Sequence, residues 1–118
     1  MGATIPSVSW GQALLLEVVL TFILMFVIVH VSTGAKEKGL MAGAAIEATV
    51  CLEALFAGPL TGASMNPARS LAPALCSGQW PTAWIYVVAP PVGAVLGALT
   101  YRLLRGPNCC PEEACELT

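Results

Sequence analysis

The chain has 118 residues, of which 57% are hydrophobic and only 10% are charged, and its mean hydropathy is +0.79. Soluble domains carry about 25% charged residues, so this composition indicates a membrane protein. The net charge of −2 and the scattered basic residues argue against a nucleic-acid partner. Five cysteines without metal-ligand spacing predict neither a disulfide framework nor a metal site, and we expect no cofactor.

Three long apolar stretches follow one another along the chain, and each is long enough to cross a bilayer. They predict spans over residues 12–31, 39–58 and 81–104. The residues before the first stretch contain no lysine or arginine, which argues against a cleaved signal peptide. Trp10, Trp80 and Trp84 lie at the starts of the first and third stretches, where interfacial aromatic side chains belong.

Polar residues inside the apolar stretches need partners within the protein. Glu17 and Thr21 are four positions apart, so they share one face of the first helix. A carboxylate on that face can accept hydrogen bonds from the backbone of an irregular loop, and we assign both residues to structural support of such a loop. Glu47 and Glu53 in the second stretch are not spaced as paired acids. Because no nucleophile–base combination is present, we favour structural roles and expect no enzyme.

A short helix is predicted after the second apolar stretch. Asn66 is a good N-cap, and Pro67 occupies the first helical position, where its missing N–H is no loss. The helix over residues 66–75 is only half of the roughly 20 residues that cross a bilayer. Glycine and proline residues before it supply the turns of a chain that enters the membrane and returns. Arg69 lies one turn beyond the cap, so an arginine and a positive helix end meet at membrane depth and can filter solutes.

The basic residues predict the orientation of the chain. Lys36 and Lys38 lie between the first two spans, and Arg102 and Arg105 follow the third span. Three spans place both regions on the same side, which the positive-inside rule makes cytoplasmic. We therefore expect an integral, multi-pass membrane protein with its N-terminus outside and its C-terminus in the cytoplasm. Residues 58–79 would then enter the membrane from the outer side.

Several segments together resemble one known family. The run Gly62–Ser70, with the sequence Gly-Ala-Ser-Met-Asn-Pro-Ala-Arg-Ser, resembles the second Asn-Pro-Ala motif of the aquaporins (major intrinsic proteins) and their selectivity-filter arginine. Leu16–Thr21 resembles the fourth span of that family, and Trp84–Gly93 resembles the sixth. Ala57–Gly62 is similar to the nodulin-26-like branch and its bacterial relatives. The similarity extends over roughly residues 10–105.

The resemblance implies an all-α membrane protein with three transmembrane helices and one re-entrant half-helix, which is half of an aquaporin-like inverted repeat. Transporter folds are often built from two such inverted halves. Residues 1–105 are expected to form the C-terminal half, and residues 106–118 a polar cytoplasmic tail. The implied assembly in the lipid bilayer is a homotetramer or a pairing with an N-terminal half.

The resemblance also implies roles for the motif residues. Asn66 would donate its amide to a passing solute at the constriction. Pro67 and Ala68 would complete the motif and pack against the other half of the pore. Arg69 would be the filter arginine, and the backbone carbonyls before Asn66 would form a ladder of acceptors for the solute.

Two small residues bear on the implied selectivity. By resemblance, Ala54 stands where many water-selective members carry histidine, and Ala63 stands where some members carry a mercury-sensitive cysteine. Both indicate a wide filter, whereas Ser70, in place of the aspartate of glycerol facilitators, indicates the opposite. The implied function is passive diffusion of water and of small neutral solutes such as glycerol or metalloid hydroxides. The alternative is a non-conducting, truncated membrane protein that acts only as an assembly or interaction partner.

Overall fold

The computed structural model describes residues 4–33, 39–78 and 80–105, which form four α-helices and no strand. The helices are α1 (Trp10–Ser32), α2 (Gly39–Thr61), α3 (Pro67–Ser77) and α4 (Ala83–Arg105). Within the described residues, α1, α2 and α4 are long and apolar enough to cross a membrane, whereas α3 has only 11 residues. The chain is therefore an all-α integral membrane protein with three spans and one re-entrant half-helix. The predicted tail, residues 106–118, lies outside the described residues.

Two glycines let α4 pack directly against the backbone of α1. A Cβ atom added at Gly93 would collide with the carbonyl oxygen of Val18 and would lie 3.0 Å from the Cβ of Thr21. A Cβ atom added at Gly97 would lie 2.7 Å from the carbonyl oxygen of Phe22. Because lipid tails are as apolar as the helices, close van der Waals packing of this kind is what holds membrane helices together.

Both ends of α3 are set by local chemistry. Asn66 is the N-cap, and its side-chain Oδ1 accepts a 2.9 Å hydrogen bond from the backbone N–H of Ala68. Pro67 is the first helical residue, as the sequence predicts. At the other end, Gly78 adopts a left-handed conformation with φ +70°, and its N–H donates to the carbonyl of Ala74. These caps limit α3 to a half-span.

The outer face of α2 is apolar and uncovered. Its exposed large side chains are Met41, Leu52, Leu55, Phe56 and Leu60. Apolar surface of this extent on a membrane helix faces lipid or a further protein segment. Two polar residues of α2, Glu53 and Thr61, are buried, and the Thr61 hydroxyl donates to Glu17 of α1.

Candidate functional site

The loop between α2 and α3 holds its backbone in an unusual conformation. Three of its residues have positive φ: Gly62 at +86°, Ala63 at +41° and Met65 at +51°. Only glycine adopts this region freely, and each of the two other residues costs about 1–3 kcal/mol there. Such a conformation persists only where surrounding contacts determine it, so the partners of this loop are the first feature of the site.

Glu17 of α1 supplies the central contacts to the loop. Its side chain is fully buried. Oε1 accepts a 2.8 Å bond from the Thr61 hydroxyl and a 3.0 Å bond from the backbone N–H of Ser64. Oε2 accepts a 3.0 Å bond from the backbone N–H of Met65. The three hydrogen bonds offset the free-energy cost of burying the charged carboxylate. Each of them is stronger than a hydrogen bond between neutral groups.

Thr61 and Tyr86 hold the start of the loop. The Tyr86 hydroxyl, which is buried on α4, donates to the carbonyl oxygen of Thr61 at 2.5 Å. The Thr61 hydroxyl also accepts a 3.2 Å bond from the N–H of Ala63 while it donates to Glu17. The hydroxyl of Thr21 takes no part in this arrangement, because it donates to the carbonyl of Glu17 within α1.

A chain of hydroxyl groups ties the loop to α3. Thr4 donates to the Ser70 hydroxyl at 2.7 Å, and Ser70 donates to the Ser64 hydroxyl at 2.6 Å. Ser64 in turn donates to the carbonyl oxygen of Asn66 at 2.8 Å. Each hydroxyl between the two ends accepts one bond and donates one, so both sides of the N-cap are held in one network.

Four consecutive loop carbonyls are left open by these contacts. Among the described residues, no donor bonds to the carbonyl oxygens of Gly62, Ala63, Ser64 and Met65. Polar backbone groups at membrane depth are tolerated only where they are buried against partners or line a water-filled cavity. The run therefore offers a row of acceptors immediately before Asn66.

Donors and positive charge follow this row of acceptors. Since the Oδ1 atom of Asn66 accepts the cap bond from Ala68, the amide NH2 group remains as its available donor. Asn66, Ala68 and Arg69 are all exposed, and Pro67 is half-buried. Within the part of the chain that the structure describes, the Arg69 guanidinium has no hydrogen bond. The positive charge of Arg69 and the partial positive charge at the N-terminal end of α3 therefore both contribute to the potential at this site.

The two small residues assigned to the filter lie close together behind the loop. Ala63 is 1% exposed and belongs to an apolar cluster with Leu20, Ala57 and Met65. Ala54 is half-buried and packs against the same cluster. The structure therefore brings Ala54 and Ala63 to one apolar cluster, in which the Ala63 side chain is buried.

Comparison with known proteins places this arrangement in a family. The family model described as major intrinsic protein matches residues 1–101. The chain belongs to the major intrinsic protein family. It is 52% identical to aquaporin NIP1-1 of Zea mays over 105 residues, which is 89% of this chain and 37% of that protein. It is 48% identical to nodulin-26 of Glycine max over 102 residues, or 86% of this chain and 38% of the relative. The chain thus spans little more than a third of the length of these relatives.

Other residues of this major intrinsic protein chain support the loop without having been predicted to do so from the sequence. Tyr86 is the sole tyrosine in the first part of an aliphatic span, and a hydroxyl in that setting needs a partner. Thr61 precedes Gly62 at the end of a span and could have been singled out for the same reason. No local signal connects Thr4 with Ser70, because they are 66 positions apart.

Proposed function

We propose that this chain forms one half of a membrane pore for the passive diffusion of water and small neutral solutes such as glycerol or metalloid hydroxides. The observation that carries this proposal is the row of four open carbonyls, Gly62 to Met65, beside the amide of Asn66. The carbonyls accept hydrogen bonds from the O–H groups of a solute, and the amide donates to its oxygen. These hydrogen bonds to the pore wall replace the hydrogen bonds that the solute makes with water outside the pore.

In the proposed pore, Arg69 and the N-terminal end of α3 exclude cations. Both carry positive charge or partial charge, and they lie within one helical turn of each other. A fixed positive potential in a narrow, poorly screened passage repels protons and metal cations, while neutral molecules pass. Aquaporin-type pores, to whose family this chain belongs, are the usual illustration of this effect.

The proposed pore is wide enough for glycerol because Ala54 and Ala63 are small. We assign Asn66, Pro67, Ala68 and Arg69 to the constriction, and Glu17 to the support of the loop. Thr21 supports the loop indirectly, because its bond to the Glu17 carbonyl holds the turn of α1 that carries the Glu17 carboxylate.

The proposed pore needs a second half to close it. The acceptor row, Asn66 and Arg69 belong to one wall only, and the exposed apolar face of α2 remains to be covered. We propose that an N-terminal half with its own Asn-Pro-Ala motif supplies the opposite wall, and that the completed pore assembles as a homotetramer. Residues 1–105 would form the pore half and residues 106–118 a cytoplasmic tail, with the N-terminus outside.

The test is stopped-flow light scattering on proteoliposomes that contain the chain together with a matching N-terminal half, with water and glycerol gradients applied separately. Empty liposomes and liposomes with the chain alone give the baselines. Asn66→Ser is the informative variant, because serine keeps an N-cap acceptor but removes the amide donor. We expect the completed pore to raise the flux well above the baseline and Asn66→Ser to lower it about tenfold, the loss of one hydrogen bond.

The same measurement decides against the alternative assignment. If the chain and its companion half are correctly inserted and co-purify but give no flux above that of empty liposomes, the chain acts only as an assembly partner. An unchanged flux in Asn66→Ser would show that solutes do not contact this amide.

A further inference from the structure

A small polar cavity lies at the other end of the bundle from Trp10, between the last turns of α1 and α4. It has a volume of about 280 Å³ and is lined by His30, Thr33, Tyr101, Leu104 and Arg105. None of these residues contacts the loop between α2 and α3 or takes part in the proposed pore. The cavity is therefore separate from the proposed pore.

A directional chain of hydrogen bonds forms one wall of the cavity. The Thr33 hydroxyl donates to the carbonyl oxygen of Val29 at 2.7 Å, so its one proton is used there. The hydrogen bond between Thr33 and Tyr101 must then run from the Tyr101 hydroxyl to Thr33. Tyr101 in turn accepts a 2.5 Å bond from Nη1 of Arg105. Among the described residues, the hydrogen-bond partners of Arg105 are neutral and do not compensate its positive charge.

The Arg105 guanidinium retains donors for a ligand. It has five N–H groups in a planar fork, a geometry that matches two oxygens of a phosphate group. One N–H is used by Tyr101, and a second approaches the Thr33 carbonyl at 3.5 Å. The Arg105 carbon Cζ lies 5.6 Å from the centre of the Tyr101 ring, which further restricts its movement. A preorganised side chain loses little conformational entropy when it binds.

His30 presents one ring nitrogen for a ligand. Its Nδ1 lies 3.0 Å from the carbonyl oxygen of Phe26, and because a carbonyl only accepts, Nδ1 carries a proton. The ring is held between Phe26 and Tyr101, with ring centres at 4.3 and 4.8 Å. The Nε2 atom is left without a partner among the described residues, and it donates once the ring is protonated.

The location of the cavity points to the source of a ligand. It lies where the long apolar helices α1 and α4 end, and the ends of helices that cross a bilayer lie near the lipid headgroups. The exposed Arg102 lies one turn from Arg105 on α4. Basic residues next to the end of a span attract anionic lipids, and pockets of this kind between helices bind their headgroups.

We propose that the cavity between α1 and α4 binds the phosphate group of an anionic lipid, with Arg105 as the main ligand and His30 as the second. The phosphate oxygens accept from the free N–H groups of Arg105 and, when both ring nitrogens of His30 carry a proton, from its Nε2. The lipid would join the last turns of α1 and α4 and would add to the contact that Tyr101 and Thr33 already make between them.

Native mass spectrometry of the 118-residue chain in neutral detergent tests this site. The chain is titrated with phosphatidylglycerol, with zwitterionic phosphatidylcholine and with inorganic phosphate. Arg105→Gln is compared with Arg102→Gln, which removes the same charge from the same helix but does not line the cavity. We expect the first phosphatidylglycerol to bind at least about tenfold more tightly than phosphatidylcholine. Arg105→Gln should abolish this preference, whereas Arg102→Gln should keep it within about threefold.

Four outcomes would overturn the proposal. If Arg105→Gln and Arg102→Gln lose the preference for phosphatidylglycerol equally, the lipid is attracted by surface charge in general and does not bind at a specific site. Equal binding of the two lipids would exclude recognition of the anionic headgroup, and equally tight binding of inorganic phosphate would make the ligand a soluble anion. If Arg105→Gln does not fold, His30→Ala replaces it, because His30 is not part of the chain of bonds between Arg105 and Val29. We expect His30→Ala to lower the affinity for phosphatidylglycerol about threefold. An unchanged affinity in this variant would also contradict the proposal.

Discussion

Glu17 and Ser64 are 47 positions apart in the sequence, yet the backbone N–H of Ser64 donates a 3.0 Å hydrogen bond to the Glu17 carboxylate. The other oxygen of that carboxylate receives the N–H of Met65 at the same distance. One side chain of α1 therefore positions the two residues that immediately precede Asn66. The placement of the N-cap, and of Arg69 beyond it, therefore depends on α1 as well as on the helices that flank the loop.

Removal of the Glu17 carboxylate should unfold the loop. Glu17→Leu leaves the buried N–H groups of Ser64 and Met65 without acceptors, at about 1–3 kcal/mol each. Glu17→Gln keeps one acceptor oxygen and should lose less. Thermal unfolding in detergent measures both losses. Glu47→Leu is the control, because Glu47 is an exposed carboxylate on α2. A leucine variant at position 17 as stable as the unsubstituted chain would contradict the support role of Glu17.

A methyl group at Gly93 should separate α1 from α4. Its Cβ would collide with the Val18 carbonyl and press on Thr21, so we expect Gly93→Ala to lose about 1–3 kcal/mol of stability. Gly43→Ala on α2 is the matched control, because nothing lies within 4 Å of its added Cβ. Alanine favours the helix by about 1 kcal/mol over glycine, so the control should be neutral or slightly stabilised. Chemical unfolding in mixed micelles compares the two, and equal effects would argue against the close helix contact.

Glu53 should destabilise the isolated chain. Its side chain is 1% exposed, and neither carboxylate oxygen has a hydrogen-bond partner among the described residues. An apolar side chain of similar size avoids this desolvation, so Glu53→Met should stabilise the chain by about 1–3 kcal/mol. Glu47→Met, at an exposed position, should change stability by less than about 0.5 kcal/mol. A lower melting temperature for Glu53→Met would mean that the carboxyl group has a partner outside the described residues.

Arg69 should keep cations out of the completed pore. In Arg69→Val the fixed charge is lost while α3 keeps both of its caps, so water flux should persist and proton or cation leak should rise. A pH-sensitive dye inside the vesicles reports protons in parallel with light scattering for water. Arg102→Val removes a charge from the end of α4 and should leave the leak unchanged. Proton flux in the unsubstituted pore that rises together with its water flux would count against the assignment.

Ala54 should set the width of the filter. Ala54→His introduces a large polar ring beside the cluster that contains Ala63, so glycerol flux should fall while water flux is largely kept. Ala54→Gly keeps the space open and serves as the control. Separate glycerol and water gradients on the same vesicles give the ratio of the two fluxes. If the unsubstituted pore excludes glycerol as fully as the histidine variant does, the filter is not wide.

The amino-acid sequence alone determined the parts of this protein that depend on neighbouring residues. Hydropathy predicts three spans because a helix in lipid must satisfy its own backbone and present apolar side chains. The N-terminal end of α3 follows from Asn66 and Pro67, since an N-cap bonds to a backbone group only two positions away. Gly93 and Gly97 are four positions apart, a spacing of small residues that indicates close packing of a membrane helix.

Only the tertiary structure decided which groups meet across the bundle. Thr21 shares a helical face with Glu17, yet its hydroxyl bonds within α1, while Thr61 and Tyr86 become the partners of the loop. Gly43 also lies four positions from another glycine, Gly39, but nothing lies within 4 Å of a Cβ added at Gly43. These contacts depend on the axial position and rotation of each helix relative to a helix that is distant in the sequence. Side-chain periodicity defines the faces of a helix, but the partner of each face is set by packing of the whole bundle.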